Sequence, residues 1–303
     1  MVKRIRGGGP ALHTSLFAAA LARGEVPTAA EWAQHLKEAH RSAPGMTPRA
    51  FGGYATADGQ TSYERLAGAV PTSAKRVLDL ACGDGHLAHA VLSRLANDAR
   101  IVGVDVSDEE LAIARSAFAD EGRVTFEAAS AERLLFDDSS FDAVLCHLAL
   151  MLFSPVEPVV AEVARVLVGG GTFAAVLPFP HGAEGVCKAV LDRVQAAVVA
   201  AFPAVAQAPR GDPRCTHAGG LRELFCEKTA FVDLRVEPIA LDLATSAEGL
   251  WAFVEDMYLV GALPEAARDS LRRDLRRTFG DSVRFQFPLQ QMVARRSLSS
   301  REV

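Results

Sequence analysis

Short apolar runs separated by amphipathic stretches dominate the middle of the chain. Mostly apolar runs stand at 77–80, 101–104, 124–127, 141–147 and 171–177. Runs this short, bounded by turn residues, are the pattern of strands buried on both faces of a parallel sheet. Helical spacing fills the gaps between them: Leu87, Val91 and Leu95 stand four apart, and Leu111, Ala114 and Phe118 repeat the stripe after the second run. Strand, helix and strand joined by right-handed crossovers place a ligand at the C-terminal ends of the strands.

The flanks read differently. Helices are expected near 12–22 and 28–41, the second capped by Thr28 ahead of Glu31, then a glycine-containing loop over 44–60 and a short helix from Thr61 or Ser62 to Val70. This stretch is expected to form an N-terminal helical lid, residues 1–70, before a core of 71–303. After the fifth strand, Pro178-Phe-Pro-His-Gly182 leads to a helix near 186–201 and a polar loop to His217. A helix near 221–228 and a strand near 231–241 come next, and helical insertions are expected near 183–216 and 246–279. A last strand near 283–294 follows, expected to pair antiparallel. Trp32, Trp251, Phe253 and Tyr258 fall on these outer helices, with 251, 254 and 258 on one face, and read as packing residues. The arginines of 268–277 alternate with Leu271, Leu275 and Phe279, which describes a solvated helix face.

The chemistry concentrates in Arg76-Val-Leu-Asp-Leu-Ala-Cys-Gly-Asp-Gly85, an apolar strand carrying Asp79 that runs into a glycine turn and a helix. Gly83 and Gly85 allow a tight turn and close approach of a ligand, while the helix that follows presents unpaired N–H groups. Asp105 ends the second strand about twenty residues after Gly85, a spacing suited to gripping ribose hydroxyls. Gly83-x-Gly85-x-x-Ala88 also fits the dinucleotide fingerprint of dehydrogenases. A pyrophosphate, however, is served badly by the charge of Asp79, and a cationic sulfonium or amino group well.

The whole run resembles the first motif of class I S-adenosylmethionine (SAM) methyltransferases. Further stretches resemble that family in order: 105–115 its ribose-binding strand end and helix start, Ser130 to Phe136 its adenine-side loop, 140–145 its fourth strand, and 162–177 its next helix, turn and fifth strand. The resemblance covers about 70–180. It implies an α/β fold, a Rossmann-like seven-stranded and mostly parallel sheet with flanking helices. It also implies SAM as cofactor, S-adenosylhomocysteine as product, and cofactor contacts from Tyr63, Asp79, Ala81, Gly83, Gly85, Asp105, Val106, Ser130, Ala131, Glu132 and Cys146. The chain departs from the family pattern at Ser130, where an Asp is common, and at Ala81, where Gly is common.

Composition narrows the remaining choices. Half of the 303 residues are apolar, enough for a full core, and a net charge of -5 supplies no positive field for nucleic acid or an anionic membrane. Five cysteines form neither a CxxC pair nor a set with zinc spacing, and read as reduced thiols in a cytoplasmic protein without a bound metal. The start Met1-Val-Lys-Arg-Ile-Arg6 reads as a loose basic tail rather than a signal peptide, and no run is long enough to span a membrane.

The expected function is methyl transfer to a small, largely apolar acceptor, at oxygen or carbon, as in secondary metabolism. His147 and His181 are the candidate bases, since an alcohol or enol must lose a proton near neutral pH. For His147 a structural hydrogen bond is the competing reading, and for Asp105 a helix N-cap. An enzyme or regulator that binds SAM without consuming it would share every cofactor motif, and a protein as methyl acceptor stays open.

Overall fold

The structure, a computed structural model, describes residues 12–227 and 230–298, so the basic stretch 1–6 and Lys228 lie outside the described residues. Local capping sets the first elements. A single-turn helix at Leu12–Thr14 leads to α1 (Leu16–Ala22), where Ser15 accepts from the Ala18 N–H. In α2 (Ala29–Ser42) the Thr28 hydroxyl accepts from the Glu31 N–H and the Glu31 carboxylate accepts from the Thr28 N–H. Thr61 and Glu64 build the same box for α4 (Ser62–Ala67). Each such cap stabilises its helix by about 1 kcal/mol. The stretch expected as loop contains a helix, α3 (Met46–Phe51), opened by Gly45 at φ 69°. Its Pro48 falls in the first turn, where no intrahelical N–H donation is needed, so the proline does not stop it.

The sheet then follows the alternation of the sequence: β1 (Arg76–Leu80), α5 (His86–Leu92), β2 (Arg100–Asp105), α6 (Asp108–Ala117), β3 (Val124–Ala128), β4 (Phe141–His147), α7 (Glu157–Val166) and β5 (Leu167–Pro178). Next come α8 (Gly185–Ala201) and α9 (Ala218–Arg222), the latter continued by a wider turn at Glu223–Glu227. After β6 (Phe231–Ser246), α10 (Ala247–Glu255), α11 (Tyr258–Ala262) and α12 (Glu265–Phe279) lead to β7 (Ser282–Arg296). Strand order is β3-β2-β1-β4-β5-β7-β6. The first five strands pair in parallel, and β5 and β7 pair antiparallel as expected. Asp79 is level with Gly103 of β2 and with Leu145 of β4. The helix break after Glu255 separates Tyr258 from the face of Trp251 and Val254.

By contacts the chain divides into Met1–Tyr54, Ala183–Arg210 and Leu241–Phe287 in one unit, and Ala55–Gly182, Gly211–Ala240 and Pro288–Val303 in the other, lines other than a cut at residue 70. The second unit is centred on the sheet, with Leu78, Leu80, Val144, Phe173 and Phe225 fully buried. Among the described residues no helix is long and apolar enough to cross a membrane. In the first unit, Phe17, Trp32 and His35 pack ring on ring, with Tyr258 edge-on to Trp32. Phe51, Phe253 and Phe287 form a second aromatic group.

His35 is fully buried, with Nε2 3.2 Å from the Tyr258 carbonyl and Nδ1 2.9 Å from Ser15 Oγ. A carbonyl only accepts, so Nε2 carries the proton and Nδ1 takes the Ser15 hydroxyl. Burial holds the pKa of this imidazole below its ordinary value, the carbonyl contact and Glu38 acting against that shift. The unfolded chain therefore takes up the proton first, and the contribution of His35, full above about pH 6.5, is lost as pH falls below it. In thermal melts the stability gap between the wild type and His35→Gln should narrow as pH drops from about 7 to about 5.5; a constant gap would contradict the assignment.

Candidate functional site

The turn after β1 is built from left-handed backbone. Ala81, Gly83 and Gly85 have φ of 57°, 53° and 81°. A Cβ on Gly85 would lie 2.8 Å from Phe126 Cζ, so only glycine fits there, whereas a Cβ on Gly83 would meet nothing closer than a Glu110 oxygen at 3.9 Å. Gly85 is thus required by packing and Gly83 faces open space. Ala81 carries a side chain in a conformation that costs an L-residue about 1–2 kcal/mol. Gly103 leaves room for the Phe126 ring and for Cys82, whose buried thiol is pushed well above its ordinary pKa, chiefly by desolvation.

Asp105 joins this turn to the next one. Its Oδ2 accepts from the Gly83 N–H and its Oδ1 from the Ser107 N–H, both at 2.9 Å. The helix N-cap is Ser107, accepting from Glu110 N–H, and not Asp105. Val106 beside it is exposed, an apolar side chain available to a flat ring.

Asp79 is 2% exposed, and its Oδ2 has no hydrogen-bond partner among the described residues. Burial, with Asp105 and Asp84 adding like charge, pushes its pKa up to about 8. The same carboxyl raises the Cys82 and Cys146 thiols and the Tyr63 phenol, with desolvation the larger cause in each case. Cys146 is fully buried on β4, its thiol pushed up to about 12. An acid left without a partner in the sheet is the complement of a cation brought by a ligand.

Across the strand ends, Tyr63 of α4 stacks on His147 with centroids 3.8 Å apart, and His86 meets the Tyr63 ring edge-on at 4.5 Å. His147 Nε2 lies 2.9 Å from Ser62 Oγ, and its Nδ1 is buried without a partner among the described residues. Desolvation, with His86 nearby, pulls the pKa of His147 down to about 3. The ring is uncharged at neutral pH.

The residues expected on the adenine side form a surface turn. Ser130 Oγ accepts from the Glu132 N–H at 3.2 Å, both residues are exposed, and Ala131 is buried beneath them. His181 is exposed on the turn Pro180–Gly182 with its ring 6.3 Å from that of His217, so the structure does not bring it to the His147 group. Three residues that sequence reasoning passed over belong here. Glu110 shares the 110-114-118 stripe of buried Ala114 and Phe118, Ser62 sits inside the Thr61–Glu64 capping box, and His86 is the first residue of α5. Among the described residues no group of three or more His, Cys, Asp and Glu is placed to hold a metal ion.

The residues fit a ligand with a cationic end at Asp79, hydroxyls at Asp105 and a flat ring near Val106 and Ala131. Residues 77–171 match the family described as Methyltransferase domain. The demethylmenaquinone methyltransferase of Thermus thermophilus is 40% identical over 118 residues, 39% of this chain and 53% of that protein. The 27-O-demethylrifamycin SV methyltransferase of Amycolatopsis mediterranei is 36% identical over 129 residues, 40% of this chain and 47% of that protein. The chain thus spans about half the length of these curated relatives. In fold it resembles the 4+2 cyclase SpnF, with a TM-score of 0.55 at 22% identity over 90% of this chain and 98% of that one.

A buried carboxyl whose folded pKa is raised takes up a proton on folding, so its contribution declines as pH rises from about 4 to about 8. Asp79→Asn should therefore raise the melting temperature of the ligand-free protein, by an amount that grows over this range. A melting temperature unchanged at all pH values would show that Asp79 is not an unpartnered acid.

Proposed function

From the premise that this chain has the class I SAM-dependent methyltransferase fold, we propose that it transfers a methyl group from SAM to a small, largely apolar metabolite, at oxygen or carbon, in secondary metabolism. The observation that carries this reading is the unpartnered Asp79 Oδ2 beside the glycine turn. A dinucleotide pyrophosphate there would add negative charge to negative charge, whereas the amino end of SAM supplies the missing cation. When bound, SAM supplies a methyl group already activated on a sulfonium, so no strong acid–base set is required and alignment with exclusion of water is the protein's task.

The residues divide that task. Asp79 gives up its proton and accepts from the ammonium. Asp105 accepts from ribose hydroxyls on the lone pairs its two backbone N–H bonds leave over, which the turn presents in a fixed direction. Gly83 allows approach without a Cβ, Val106 and Ala131 flank the adenine, and Ser130 and Glu132 offer polar contacts at its edge. Tyr63 and buried Cys146 line the methionine side. The curated relatives named above are called methyltransferases of a quinone precursor and of a rifamycin, which supports a small-molecule acceptor.

Titration calorimetry with S-adenosylhomocysteine tests the reading. Binding should release close to one proton below pH 8, seen as a dependence of the apparent enthalpy on buffer ionisation, and Asp79→Asn should abolish that release. Asp105→Ala should weaken binding more than tenfold, at least about 1.4 kcal/mol. Absence of binding by the wild type would overturn the reading. Release of S-adenosylhomocysteine from SAM with an acceptor present separates a methyltransferase from a protein that only binds the cofactor.

A further inference from the structure

The Ser62–His147 pair has a definite proton arrangement. Ser62 is fully buried, and the partner of its hydroxyl is His147 Nε2 at 2.9 Å. If Nε2 carried the proton, it would donate to Ser62 Oγ and leave two unsatisfied positions, the serine hydroxyl hydrogen and the Nδ1 lone pair. If Nε2 is bare, the serine donates to it and a single unsatisfied group remains, the Nδ1–H. Each arrangement leaves one hydrogen without an acceptor, but the first also leaves the buried Nδ1 lone pair bare, so the second arrangement wins.

The remaining N–H is well placed. Asp79 is level with Leu145, and side chains two apart on a strand share a face, so His147 projects from β4 on the same side as Asp79 does from β1. Both carry an unpartnered buried polar atom at the ends of neighbouring parallel strands. Tyr63 stacks on the His147 ring, and His86 meets the Tyr63 ring edge-on. The acidic groups that act on Tyr63 are Asp84, Asp79 and Glu110.

We infer that His147 is a neutral hydrogen-bond donor, held in its Nδ1–H form by Ser62 as a positioning residue, and that it grips an oxygen of the methyl acceptor other than the atom methylated. This rests on the methyltransferase reading and replaces a general base with an electrophilic partner. The acceptor class that matches is an enol or phenol methylated at the neighbouring carbon. Its hydroxyl loses a proton to solvent before transfer, and Nδ1–H stabilises the resulting oxyanion. A carbon–carbon bond then forms to the methyl as the carbon–sulfur bond breaks with its electron pair left on sulfur, and the oxyanion becomes a carbonyl. On an aromatic ring the proton on the methylated carbon then leaves to solvent, restoring the ring as a phenolate, and its oxygen takes up a proton from solvent to give the phenol.

The test is nitrogen-15 NMR of full-length protein labelled at histidine, the His147 signals being those lost in His147→Phe. Expected is a protonated Nδ1 and a bare Nε2, unchanged between about pH 5.5 and 8, with Ser62→Ala reducing the preference for this form at least tenfold. A bare Nδ1, or a ring that titrates in that window, overturns the inference; should Ser62→Ala not fold, the wild-type form alone decides. S-adenosylhomocysteine should leave the Nδ1 proton signal in place, and 1-naphthol added to that complex should move it downfield. Movement with S-adenosylhomocysteine alone would assign the donor to the cofactor, and no movement with 1-naphthol at its solubility limit would rule out the oxygen contact; either sinks the inference. Failure to bind S-adenosylhomocysteine, by contrast, overturns the proposed function and leaves the proton assignment standing.

Discussion

One carboxylate, Asp105, fixes the relation between two turns, and the geometry of the site follows from it. By accepting from Gly83 and Ser107 together, it ties the glycine turn after β1 to the start of α6. Ser107, so placed, caps α6 through the Glu110 N–H, and Glu110 is thereby held in the interior beside Gly83. Charge-assisted bonds to backbone N–H groups are about twice as strong as neutral ones. A single acid thus orders the loop and presents its own oxygens in a fixed direction. Of the two readings of Asp105 weighed from sequence, the helix cap falls to Ser107, and the ligand reading is joined by a role the sequence did not suggest, bracing the turn.

Asp79 works in the opposite sense. Burial and the like charges of Asp105 and Asp84 oppose its ionisation, so it lowers the stability of the ligand-free fold as pH rises toward about 8. Burial decides the protonation of its neighbours as well. Tyr63, Cys82, Cys146 and His147 are all held uncharged, so the negative carboxylates govern the field with little opposition from the groups around them.

The sheet was legible because parallel strands buried on both faces read as plain apolar runs, and the capping pair of Thr28 and Glu31 announced its helix. Helix α3 was not legible: glycines and a proline suggested a loop, and the tolerance of a first turn for proline decided otherwise. Asp79, the glycines and Asp105 stood out through residue type and spacing. The Ser62–His147 contact spans residues far apart in sequence, and no local pattern encodes it. His181 had the same chemical appeal as His147, yet only the fold separates a buried strand end from an exposed turn. The burial of Glu110 was present in the helical stripe, masked by its charge.

The chain passes between its two contact units at 54–55, 182–183, 210–211, 240–241 and 287–288, and the fourth and fifth passages fall inside β6 and β7. Neither unit is therefore a cassette that recombination could exchange in one cut. A new version of the first unit would need three separate pieces, one of them, 241–287, spliced within strands at both ends and at matching register. Divergence of this protein would accordingly proceed by point changes and loop-length variation within each segment, not by module shuffling.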